Sequence, residues 1–89
     1  MQMREKKEKI LVLDDEASVC RTLSRIVKKI GRKCVTANSA EEAKELLQEE
    51  SFELILSDIR LPGESGLDFV RNTVAQDPDV AIIMITGVD

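Results

Sequence analysis

An α/β fold built on a parallel sheet is what this chain predicts, on three observations. Short apolar runs alternate with stretches of helical period, the pattern of successive βαβ units. Two of the runs close on carboxylates: Ile10-Leu11-Val12-Leu13 on Asp14 and Asp15, and Glu53-Leu54-Ile55-Leu56-Ser57 on Asp58. The last run, Val80 to Ile85, is apolar without alternation, as in a strand covered on both faces.

The elements follow in order. Ile10 to Leu13 is the first strand. Val19, Leu23, Ile26, Val27 and Ile30 then recur at helical spacing and predict one apolar helix face, with Gly31 as the stop and Asp15 or Glu16 capping or charging the start. The second strand is about Lys33 to Ala37. Ser39 stands three residues before Glu42, a capping-box spacing, and the helix that follows turns Ala40, Ala43, Leu46 and Leu47 inward until about Glu50. Glu53 to Ser57 is the third strand and delivers Asp58. Leu61 to Gly66 reads as a loop from its Pro and Gly content, and Leu67, Val70 and Val74 restart a helical stripe. Asp77-Pro78 ends that helix, because the residue before proline avoids the α region. Val80 to Ile85 is the fourth strand, closed by Thr86 and Gly87.

Composition bounds the function. With 89 residues the chain is one small domain, preceded by a polar tail over residues 1–9. Its 43% hydrophobic and 34% charged residues are those of an ordinary globular domain. No apolar run approaches the roughly 20 residues of a membrane span, and residues 1–9 are polar where a signal peptide would be apolar, so a cytoplasmic protein is expected. A net charge of −4 argues against general nucleic-acid affinity; the basic clusters Lys6-Lys7 and Lys28-Lys29 with Arg32-Lys33 read as a solvated tail and helix end. Cys20 and Cys34 have no metal or redox spacing and read as small core residues. Histidine is absent, and with it the commonest general base.

If the first and third strands are parallel neighbours, their carboxyl ends open on one edge of the sheet, where open α/β sheets place their sites. Asp14, Asp15 and Asp58 then converge. Two like charges about 4 Å apart repel by roughly 4 kcal/mol at an effective dielectric near 20, so three of them need a proton or a cation. A hard, oxygen-seeking divalent ion, Mg²⁺ above all, is the natural guest.

Four features in order carry a family resemblance: Leu11-Val12-Leu13-Asp14-Asp15-Glu16, Ser57-Asp58, the loop Asp58-Ile59-Arg60-Leu61-Pro62-Gly63-Glu64-Ser65-Gly66, and Ile83-Met84-Ile85-Thr86-Gly87. Over residues 10–89 the chain resembles the receiver domain of bacterial two-component response regulators. The resemblance implies a flavodoxin-like, doubly wound parallel sheet of order 2-1-3-4. It implies Asp58 as phosphoacceptor and Mg²⁺ held by Asp15, Asp58 and the backbone carbonyl of Arg60, with Asp14 acting mainly through coordinated water. Thr86 would donate its hydroxyl to the phosphoryl group and Gly87 would leave room for it; Arg60 and Val88 would tune how long that group survives. An aspartate is a competent nucleophile toward phosphorus in its own right.

The same resemblance implies a departure. A complete receiver continues with a helix, a strand ending in a phosphate-pairing Lys and bearing an aromatic switch residue, and a last helix, so residues 10–89 read as a receiver incomplete at its C-terminus. Impaired switching with surviving Mg²⁺ binding is the expectation. The implied partner is a sensor histidine kinase or phosphotransfer protein, with small phosphodonors as substitutes, and the apolar fourth strand offers a surface for a homodimer. The domain is expected to accept a phosphoryl group, with self-dephosphorylation open to it, rather than to be an enzyme. The rival readings are a Mg²⁺-dependent phosphatase of the haloacid-dehalogenase type, which would set its two acids one residue apart, a flavodoxin-like cofactor binder, which lacks its phosphate loop here, and a fragment whose role is association alone.

Overall fold

The computed structural model describes residues 9–61 and 64–85. Strand β1 (Lys9–Leu13) leads to α1 (Ala17–Lys29), β2 (Lys33–Ala37), α2 (Ala40–Glu49) and β3 (Leu54–Asp58). Two short strands follow, β4 (Arg60–Leu61) and β5 (Glu64–Ser65), then α3 (Gly66–Gln76) and β6 (Ala81–Ile85). The long strands form one parallel sheet in the order β2-β1-β3-β6, the predicted 2-1-3-4 arrangement with β6 as the fourth long strand.

Alternation along β1 explains why the sheet is covered on two faces. Leu11 and Leu13 join Ala37, Ala40, Ala43, Phe52, Ile55, Phe69 and Val80 in one buried cluster, with Leu46, Leu47 and Ile82 packed against it. Ile10 and Val12 point to the opposite face and are also buried, as is Val27 of α1. Burying a side chain of this size stabilises by about 1.5–3 kcal/mol, so β1, buried from Ile10 onward, anchors the sheet.

Helix ends agree with the local chemistry. Ser39 caps α2, its hydroxyl accepting the Glu42 N–H at 3.1 Å, while Glu42 Oε1 reaches back to the Asn38 N–H at 2.9 Å. Gly31 takes φ +88°, a left-handed conformation that ends α1 at little cost for glycine. Lys28 and Lys29 occupy the last turn of α1, where they complement the helix dipole. α3 ends at Asp77, whose backbone at φ −139° and ψ 85° has left the α region before Pro78.

Three expectations need correction. The stretch from Leu61 to Gly66 is not a plain loop: β4 and β5 pair antiparallel, Arg60 with Ser65 and Leu61 with Glu64, and Ser65 caps α3 by accepting the Asp68 N–H at 3.1 Å. The inner stripe of α3 is Gly66, Phe69 and Thr73, whereas Leu67 and Val74 are exposed; the bulky phenyl ring takes the core position, and a buried Thr breaks the apolar pattern. Ile26 and Ile30 of α1 stay exposed, at 52% and 65%, because α1 covers β1 and β2 with Val27 as its buried contact. Among the described residues β6 bonds to β3 alone, and Ile83 is 52% exposed, so this apolar strand is left partly uncovered, the open surface expected of the fourth strand.

Candidate metal and phosphoacceptor site

Register brings the acids together. In the parallel ladder Leu13 is the partner of Ser57, so Asp14, just past β1, and Asp58, the last residue of β3, stand side by side at the carboxyl edge of the sheet. The carboxylates of Asp14, Asp15 and Asp58 each offer an oxygen within 4.8 Å of the others. Asp14 is buried, Asp58 half-buried and Asp15 exposed, so the cluster is closed underneath and open above. A cavity of about 310 Å³ adjoins it, lined by Asp14, Asp15, Cys20, Arg21 and Asn38 among others. A larger cleft of about 410 Å³ lies between α2 and α3, at Lys44, Leu47 and Thr73, away from the acid trio.

Asp14 and Asp58 are each held by hydrogen bonds. The Asp14 N–H donates to the Ala37 carbonyl at 3.1 Å, and its Oδ1 accepts the Glu16 N–H at 2.9 Å. Through that bond Asp14, not Asp15 or Glu16 as expected, serves the backbone at the start of α1; the Glu16 side chain makes no cap bond. Asp58 Oδ1 accepts the Arg60 N–H at 3.3 Å, and the Asp58 carbonyl accepts the hydroxyl of fully buried Ser57 at 3.1 Å. Beyond it the Ile59 N–H donates to the Ile85 carbonyl at 3.2 Å, and the Ile59 carbonyl accepts the Gly66 N–H at 2.7 Å.

Electrostatics follow from this packing. Burial pushes the Asp14 carboxyl above its ordinary range against the lowering effect of the Glu16 N–H, and the charges of Asp58 and Asp15 push it the same way. Cys20 lies at the rim, its thiol donating to the Asp14 carbonyl oxygen at 3.4 Å; burial first, and the Asp14 charge next, raise the thiol. Both cysteines are free and half-buried, not core residues as expected; Cys20 is drawn to the rim by its bond to Asp14.

The donor set fits magnesium. Three carboxylates with an open side and no imidazole offer a hard, oxygen-only site. Arg60, the fourth expected ligand, stands two residues after Asp58 at the start of β4. Thr86 and Gly87, like Val88, Pro62 and Gly63, lie outside the described residues; Ile85, the residue before Thr86, is the register partner of Asp58. Ser57 and Gly66 are the parts of this site that sequence reasoning missed as such. Ser57 is polar in an otherwise apolar strand, and that is the signal that could have found it.

Comparison with known proteins agrees with this architecture. The model of the response regulator receiver domain matches residues 10–89. The alginate biosynthesis transcriptional regulatory protein AlgB of Pseudomonas aeruginosa is 35% identical over 83 residues, which are 93% of this chain and 18% of AlgB. The probable transcriptional regulator ycf27 of Guillardia theta is 40% identical over 93% of this chain and 32% of its own length. The chain thus spans about a fifth to a third of these two relatives. The response regulator TrrA of Thermotoga maritima, solved in complex with Mg²⁺-BeF, superposes with a TM-score of 0.86 at 30% identity, over 92% of this chain and 71% of that one. Among the described residues no helix is long and apolar enough to cross a membrane. Sequence, sheet order and family match agree: the chain belongs to the receiver domains of two-component response regulators.

Proposed function

We propose that this domain receives a phosphoryl group on Asp58, in the cytoplasm, from a sensor histidine kinase or phosphotransfer protein. The observation that carries this is the convergence of Asp14, Asp15 and Asp58 within 4.8 Å at the carboxyl ends of two paired parallel strands. A carboxylate oxygen of Asp58 attacks phosphorus, a P–O bond forms as the P–N bond of the donor's phosphohistidine breaks, and the imidazole leaves. Asp14, Asp15 and Asp58, with the Arg60 carbonyl, hold Mg²⁺, which when bound offsets negative charge on the transferring oxygens. Asp58 contributes one oxygen as nucleophile and has the other steadied by the Arg60 N–H. The family resemblance gives Thr86 the role of donating its hydroxyl to the phosphoryl group and Gly87 that of leaving room for it.

The domain acts as a phosphoacceptor rather than as a turnover phosphatase. Asp14 and Asp15 are adjacent, unlike the spaced pair of the haloacid-dehalogenase pattern, and the family match runs over most of the chain. The −4 chain leaves nucleic-acid binding to other parts of a regulator.

Labelling with radioactive acetyl phosphate tests the proposal. Acid-stable, hydroxylamine-sensitive label that requires Mg²⁺ and vanishes in Asp58→Asn is expected. Label that survives Asp58→Asn, or continuous release of phosphate from many monoesters, rejects it.

A further inference from the structure

Gly66 packs its α-carbon against the backbone that carries Asp58. A β-carbon at this position would lie 2.5 Å from the Ile59 carbonyl oxygen, 2.6 Å from the Asp58 carbonyl oxygen and 2.8 Å from Ile59 Cα. All three are main-chain atoms, so no rotamer change relieves the contact; the Asp58–Ile59 segment or the start of α3 packed on it has to move. The Gly66 N–H meanwhile donates to the Ile59 carbonyl at 2.7 Å, which draws the start of α3 onto that segment. From within β3, Ser57, with no exposed surface, donates its hydroxyl to the Asp58 carbonyl at 3.1 Å. The peptides on both sides of Ile59 are therefore held by neighbours that do not touch the carboxylates.

We propose that Gly66 and Ser57 are positioning residues for the acid cluster: together they seat the Asp58–Ile59 backbone so that the Asp58 carboxylate meets those of Asp14 and Asp15. This rests on the metal reading above and adds two residues to it. The acids belong to separate strands and have a hydrogen-bonded ladder in common only as far as Leu13 and Ser57. Past Ser57 the ladder to β1 ends, and the direction of Asp58 depends on its pairing with Ile85 of β6 and on how its own peptide is gripped. A divalent-ion site tolerates roughly 0.5 Å of error in its ligands, and a β-carbon 2.5 Å from the Ile59 carbonyl oxygen demands relief of at least about that size, because such contacts essentially never fall below 3.0 Å.

Mg²⁺ titrations of folded protein, well below the melting temperature, separate positioning from stability. Gly66→Ala is expected to bind Mg²⁺ at least about ten-fold more weakly. Gly31→Ala is the control: its φ of +88° makes any side chain strained, yet nothing lies within 4 Å of it, so it loses stability and binds Mg²⁺ as the parent does. Mg²⁺ affinity in Gly66→Ala within two-fold of the parent overturns the proposal, as does an equal loss in Gly31→Ala. Should Gly66→Ala fail to fold, Ser57→Ala decides: about three-fold weaker binding supports the proposal and unchanged binding overturns it. A parent chain that takes up no Mg²⁺ removes the metal reading alone. Crystal structures of the metal-free parent and Ser57→Ala then judge the positioning, which stands if the Asp58 oxygen moves beyond 4.8 Å from Asp14 and falls if it does not.

Discussion

Lys44 Nζ lies 2.6 Å from Glu64 Oε1 and ties α2 to β5, so the hairpin after Asp58 is braced from the neighbouring helix. The other oxygen of Glu64 is buried without a hydrogen-bond partner among the described residues. Removing the lysine leaves that carboxylate uncompensated. Lys44→Met is expected to destabilise by about 1 kcal/mol, held to that figure by solvent screening at the half-exposed lysine, whereas Glu64→Gln costs less. Urea unfolding of both variants checks the order.

Asp14→Asn is expected to stabilise the metal-free protein, because it removes a buried charge facing two others while an amide oxygen still accepts the Glu16 N–H. On the order of 1 kcal/mol, several degrees of melting temperature for a domain of this size, is the expected gain. The same variant is expected to lose the melting-temperature rise that the proposed Mg²⁺ binding should give the parent. Thermal melts with and without Mg²⁺ report both effects.

The pH dependence of the metal-free fold follows from Asp14. Its folded pKa lies above the ordinary 3.8, so folding takes up a proton as the pH falls toward that range. The penalty from this group is present in full above the raised value and gone below 3.8. Metal-free parent should therefore lose less stability than Asp14→Asn between neutral pH and this window, and Mg²⁺ uptake should weaken across the same interval as protons compete. Calorimetric titrations at stepped pH check the second statement.

Cys20 should alkylate slowly. Burial and the Asp14 charge keep its thiol protonated, and the thiolate is the reactive form. Iodoacetamide at pH 8 is expected to modify Cys20 well below the rate of a free thiol, and urea should restore that rate; peptide mapping by mass spectrometry tells it from Cys34.

Ser39→Ala should cost about 1 kcal/mol, since it removes the acceptor for the Glu42 N–H at the start of α2. Chemical denaturation measures the loss, which Ser39→Asp should largely restore.

Much of this is legible in the sequence because it depends on periodicity and on residues at strand ends. The apolar run Ile10 to Leu13 has one good reading, and Asp14 and Asp58 are placed by where their strands stop. The strand boundaries fall within a residue of their predicted places, β3 running to Asp58 itself. What resists reading is tertiary in origin. Whether Leu67 or Phe69 faces inward depends on the shape of the space beneath α3, and the exposure of Ile26 and Ile30 on which strands α1 covers. Gly66 looks like any turn glycine until the Asp58 and Ile59 carbonyls are found against it. Cys20 stands six residues from Asp14, and only the path of the chain into α1 brings its sulfur to that backbone oxygen.

The pairing of Leu13 with Ser57 makes the sheet a ruler for the chemistry. Side chains alternate along a strand, so a slip of one residue would turn Asp58 toward the opposite layer and carry Ile55, the buried core residue of β3, with it. The forces that keep oil from water therefore also aim the proposed phosphoacceptor, and a misaligned fold would forfeit its acid cluster and its core in a single step.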